Sequence, residues 1–172
     1  MKGDAIRLET PDKSLIWDAT KPDRAYLTLN TPRSQGAWGL IANQSFSMPN
    51  LDVEVGSILR NYGTVVATTL DDADSIGASK SILLLASSGA ENTGMQWNDE
   101  RTSVSDKWGT GPTRINPVSA TVRIASRQVR KVFALDGTGA RTKEVPVKRT
   151  SDGIEFSIGG KFETLWYLLT ID

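Results

Sequence analysis

Short runs of apolar–polar alternation, each closed by turn residues, recur along the whole chain and limit its fold more than any other feature. SLIWD (14–18) and RAYLTLN (24–30) flank ATKP as a hairpin-like pair. GAWGLIA (36–42), LDVEV (51–55), TVVATTL (64–70) and SILLLAS (81–87) follow. ATVRIA (120–125), RKVFALD (130–136), KEVPVKR (143–149), GIEFSI (153–158) and TLWYLLTI (164–171) complete the series. Val, Ile, Thr, Tyr and Trp crowd these runs, as expected of half-buried strands. Asp136-Gly137 and Asp152-Gly153 are hairpin dipeptides. Only the piece near 72–80 hints at a helical turn. The pattern predicts an all-β chain: one antiparallel β-sandwich, jelly-roll-like, with at most one short helix. No repeat, low-complexity tract or linker divides the chain, so residues 1–172 are read as a single domain. The predicted core is Leu83, Leu85, Val122, Ile124, Val132, Ala134, Phe156, Ile158, Leu165 and Tyr167.

Composition removes whole classes of function. The chain has no Cys and no His. No Ser-His-Asp or Cys-His nucleophile can be assembled, and no Cys/His zinc site. A metal would have to be held by oxygen, which points to a structural calcium on loop carboxylates and carbonyls, with no ligand set assigned and no other cofactor expected. Lys plus Arg equals Asp plus Glu. The electrostatic term that holds nucleic acid is therefore missing, and Arg123, Arg127, Arg130 and Lys131 read as a solvated face. No run approaches the ~18 apolar residues of a membrane span. The start, MKGDAIRLETPD, lacks a signal-type apolar stretch, as expected of a cytoplasmic chain or an excised domain.

Several motifs fail on spacing. Asp71, Asp72 and Asp74 resemble a calcium loop, but Ile76 and Leu83 occupy two of its ligand positions. Gly137-Thr138-Gly139 lies between two strands, with no helix to present amides to phosphate, and reads as a turn. Asn43-Gln44-Ser45 matches a glycosylation sequon, a match that arises often by chance.

The region up to Pro112 that begins at Ser88 lacks a clear strand pattern and holds ENTGMQWNDERTSVSDKWGTGP (91–112). Loops that long in compact domains are often functional. Trp17 and Trp166 lie inside strand patterns and read as core or sheet-face packing. Trp38, Trp97 and Trp108 sit instead beside glycine or in polar sequence. An indole offers an apolar face and one N–H donor, complementary to a sugar's C–H face and hydroxyl rim. Asn92, Gln96, Asn98, Asp99 and Arg101 supply polar partners around Trp97. Trp97, Trp108, Trp38, Asn92, Gln96, Asn98 and Arg101 are therefore the candidate ligand-binding residues, with no catalytic residue assigned. The competing reading makes Trp97 and Trp108 anchors that pin the loop. A glycosidase reading would need Glu91, Asp99 and Glu100 to supply two carboxylates across one cleft.

TPRSQGAWG (31–39), VVATTLDDADSIGASKSILLLASSGAENTGMQW (65–97), KWGTGPTRI (107–115), VRKVFALDGTGART (129–142) and TLWYLL (164–169) form an ordered series covering nearly the whole chain. The series resembles a β-sandwich domain near the C-terminus of large bacterial glycoside hydrolases. There it follows a catalytic barrel as an ancillary or carbohydrate-binding-type module. A Gly typical of that pattern after Asp71 is here Asp72. The resemblance implies an extracellular or cell-surface setting, a secretion signal far upstream, and an upstream catalytic domain as partner in cis. With the residues, it leads to the expectation of a non-catalytic module binding β-glucan, cellulose or hemicellulose. A structural domain without sugar binding, and a small sandwich-fold glycosidase or lyase, are the alternatives.

Overall fold

The alternation is realised as two antiparallel sheets packed face to face in a computed structural model, which describes residues 6–172. The strands are β1 (Ile6–Glu9), β2 (Leu15–Ala19), β3 (Tyr26–Asn30), β4 (Ser34–Leu40), β5 (Ser45–Ser47), β6 (Leu51–Val55), β7 (Tyr62–Thr69) and β8 (Ser81–Ser88). They continue as β9 (Ala90–Thr93), β10 (Thr110–Ile115), β11 (Ala120–Ile124), β12 (Lys131–Leu135), β13 (Arg141–Val145), β14 (Val147–Arg149), β15 (Ile154–Ile158) and β16 (Trp166–Thr170). The large sheet has nine strands in the order β1-β2-β3-β4-β7-β8-β16-β12-β13, and the small sheet five, β14-β15-β11-β6-β5. β9 and β10 pair as a separate two-stranded ribbon. The chain crosses repeatedly between sheets, so that β16 returns between β8 and β12, and the all-β antiparallel sandwich expected is realised.

The core lies between the sheets. Val65, Ala67, Ile82, Leu84, Tyr167 and Leu169 descend from the large sheet onto Val53, Val122, Ile124, Ile154 and Phe156 of the small one. Full burial of each large apolar side chain contributes about 1.5–3 kcal/mol, against the entropy of ordering the chain. Val122, Ile124, Val132, Ala134, Phe156, Ile158 and Tyr167 lie in the core as predicted. Tyr167 meets Phe162 edge to face, and its hydroxyl accepts from the Gly159 N–H. Gln35 ties the layers together: its side chain donates to Asn30 and accepts from the Asn50 N–H.

Four expectations are corrected. Leu83 and Leu85 point away from the core; Ile82, Leu84 and Ala86 point in. Three successive leucines carry no period of two, so the run could not declare its register. Leu165 precedes β16 and is half-buried, outside the core. No helix forms near 72–80: Asp71 accepts from Ser79 Oγ and from the Lys80 N–H, and the segment closes as turns. The two helical turns are instead 3₁₀ segments at Pro22–Arg24 and Gly160–Phe162. KEVPVKR is two strands in different sheets, broken at Pro146, which has no N–H for a ladder.

The hairpin dipeptides behave as read. Asp136 accepts from the N–H groups of Thr138 and Ala140 in the β12–β13 turn. Gly153 opens the return from β14 into β15, and a Cβ there would lie 1.9 Å from the Ile124 carbonyl oxygen. Only glycine permits that approach.

Candidate aromatic binding surfaces

The 91–112 segment is a ribbon carrying an ordered loop. β9 and β10 pair antiparallel with a register shift between Thr110 and Thr113. All six β10 residues are exposed, so no alternation marks this strand in the sequence. The ribbon is held by side chains. Asn92 donates to the Trp108 carbonyl and accepts from Thr113 Oγ1; Thr93 Oγ1 donates to the Pro112 carbonyl. Gly109 adopts φ +70° where a Cβ would meet the Thr93 carbonyl at 2.4 Å. The loop beyond closes on Asn98, whose side-chain oxygen accepts from the Thr102 and Ser103 N–H groups while its amide donates to Thr102 Oγ1. Val104 is buried beneath it.

Trp97 and Trp108 separate here. Trp97 is half-buried, and its indole N–H donates to Glu91 Oε1 at 2.8 Å. The same oxygen accepts from Arg101 at 3.0 Å and from Arg60. Both guanidinium groups lie over the Trp97 ring, at 5.6 Å for Arg60 and 5.5 Å for Arg101. Trp97 is thus clamped to its own loop and, through Arg60, to the β6–β7 connection. Trp108 is 62% exposed. Gln96, also exposed, sits beside it through a backbone bond from its N–H to the Lys107 carbonyl.

The structure therefore brings Trp97, Trp108, Asn92, Gln96, Asn98 and Arg101 together and leaves Trp38 elsewhere. Asn92 and Asn98 spend their side chains on the loop itself. Trp108 and Gln96 face solvent, and Arg101 is partly exposed beside its bond to Glu91. Asp99 and Glu100 are exposed, whereas Glu91 is engaged by two arginines and an indole, so the three do not frame a cleft. Arg60 was missed because nothing in its local sequence announces a partner in the Glu91 ribbon.

Trp38 belongs to a second aromatic grouping. On the outward face of the large sheet, Leu27 lies opposite both Trp17 and Trp38 across β2–β3–β4. With Leu40 and Tyr62 they line a shallow depression of about 410 Å³. Trp17 (44% exposed) and Trp166 (38% exposed) pack on this outward face and not in the core. Alternation put them one residue away from inward neighbours, a distinction that aromatic content alone does not reveal.

No family model, curated protein or solved structure matches the chain.

Among the described residues, no three acidic side chains gather as a metal cluster would require. Partial burial opposes ionisation of Asp71, but hydrogen bonds from Ser79, Lys80 and Ala73 outweigh it and hold the carboxyl below its ordinary value. Asp71 thus serves as the pin of its turn.

Proposed function

We propose that this chain is a non-catalytic carbohydrate-binding module of a secreted polysaccharide-degrading glycoside hydrolase, acting outside the cell beside a catalytic domain in cis. β-Glucan, cellulose and hemicellulose are its first ligands. The observation that carries the reading is Trp108, a largely exposed indole on a ribbon already ordered by Asn92, Thr93 and Gly109. A pyranose ring stacks on the indole, and Gln96 and the free N–H groups of Arg101 donate to its hydroxyls. The preformed ribbon keeps the ordering cost of binding low. The resemblance to ancillary domains of glycoside hydrolases supports the setting beside a catalytic domain.

Native affinity electrophoresis through a panel of soluble polysaccharides, with pull-down on insoluble cellulose, tests the proposal. Retardation that Trp108→Ala abolishes at unchanged melting temperature supports it; absence of binding to every polysaccharide overturns it. Release of reducing sugar by the pure chain would overturn the non-catalytic part. A different observation, the uncharged outward face of β1–β4, β7, β8 and β16 in the large sheet, favours a second reading. There the chain is a structural domain covered by protein on that face and binds no sugar.

A further inference from the structure

The two outward faces of the sandwich differ sharply. On the small sheet the outward positions include Asp52, Glu54, Arg123, Lys148 and Glu155, as solvent requires. On the large sheet, the outward positions of β1, β2, β3, β4, β7, β8 and β16 include no Asp, Glu, Lys or Arg. Leu8, Trp17, Leu29, Val66, Leu85 and Trp166 are among them. Antiparallel strands with one wet face alternate; strands covered on both faces read as continuous apolar runs, as SILLLA and WYLL do here.

Seven strands about 4.8 Å apart and about 20 Å long give roughly 600 Å² before side-chain relief is counted. That approaches the ~800 Å² that each partner contributes to a stable interface. Depletion of charge is the signature of an interface core.

We propose that this face docks a second copy of the same chain, sheet to sheet, about a two-fold axis. A two-fold axis places a patch against itself, so a charged face would oppose like charges; across β1–β4, β7, β8 and β16 this one has none to oppose, its outward charges Lys131 and Glu144 lying on β12 and β13 at the far edge. The outward rows on β4 and β7 are Ser34–Thr68, Gly36–Val66 and Trp38–Thr64, flanked by Trp17 and Leu27 on one side and by Leu85 and Trp166 on the other. The inference is independent of sugar binding at Trp108, which lies on the separate ribbon.

Sedimentation velocity of the full chain across the micromolar range tests it. The expected result is a dimer of micromolar or tighter dissociation constant. Trp17→Arg and Trp166→Arg, both at exposed outward positions, weaken it at least tenfold with retained melting temperature. Thr121→Arg, on the small sheet, and Trp108→Ala leave it unchanged. Should either arginine unfold the chain, Leu8→Lys on the exposed edge strand β1 replaces it. A monomer throughout the range overturns the proposal, as does a dimer that survives the outward variants. A soluble glucan that dissociates the dimer also overturns it, by putting sugar on this face instead.

Discussion

Replacing Trp97 by alanine tests whether this residue anchors its loop. The substitution removes the indole N–H donor to Glu91 and the ring beneath Arg60 and Arg101. A hydrogen bond to a charged group contributes about 1.5–3 kcal/mol when buried. Glu91 is 26% exposed and its two arginines more so, so screening brings this toward about 1 kcal/mol. The cation–π contacts add about 0.5–1 kcal/mol at such sites. Trp97→Ala is therefore expected to ease opening of the loop by about 2 kcal/mol, an acceleration of amide exchange of about 30-fold. The reporters are the N–H groups of Gln96, Asn98, Arg101 and Lys107, each hydrogen-bonded to a loop carbonyl. Core amides of β11 should not change. Trp97→Phe keeps the ring and loses the N–H, so about half of the effect should remain. Hydrogen exchange read residue by residue decides it. Unaltered exchange at those four amides, or equal acceleration in Trp108→Ala, refutes the clamp.

Leu84→Ala should cost about 2–5 kcal/mol in denaturant unfolding, and outward Leu83→Ala about 1 kcal/mol; equal losses would contradict the register of β8. Gly153→Ala drives a methyl into the Ile124 carbonyl and should cost about 2–3 kcal/mol, read as a fall in melting temperature; an unchanged melt would refute the close approach. Asp18, Asp71, Asp136 and Asp152 are all held below the ordinary carboxylate value of 3.8. Their folded pKa values are depressed, so their stabilisation is present above that value and lost as pH falls through the folded values. With no His to titrate, melting temperature should stay flat from neutrality to about pH 5 and fall below about pH 4. A fall already complete at pH 5 would refute these turns as the acid-sensitive elements.

The sandwich was legible wherever one strand face meets the core and the other meets water. LDVEV and GIEFSI alternate, and β6 and β15 bury the residues the pattern selects. Legibility failed for three physical reasons. The β9–β10 ribbon is held by Asn92 and Thr93 side chains, so β10 has no inner face and no pattern. Arg60 joins Glu91 only through tertiary structure. In SILLLA both faces are apolar, so alternation could not choose between Leu83–Leu85 and Ile82–Leu84–Ala86.

That third failure carries information of its own. A strand loses its period of two when the residues turned outward are chosen for burial as strictly as those turned inward. β8 and β16 lie side by side near the middle of the large sheet, and Trp166–Leu85–Val66 and Leu168–Leu83–Thr68 run across them without a charge. The β2–β3–β4 side adds Trp17, Leu27 and Trp38 in one row. On the other side of the same core, β6, β11, β14 and β15 of the small sheet carry Asp52, Glu54, Arg123, Lys148 and Glu155 outward. Scattered apolar surface residues need no explanation, but a continuous uncharged face beside a charged one does. The ambiguity in the register of SILLLA and the docking surface on the large sheet are thus two consequences of one selection, for strands covered on both sides.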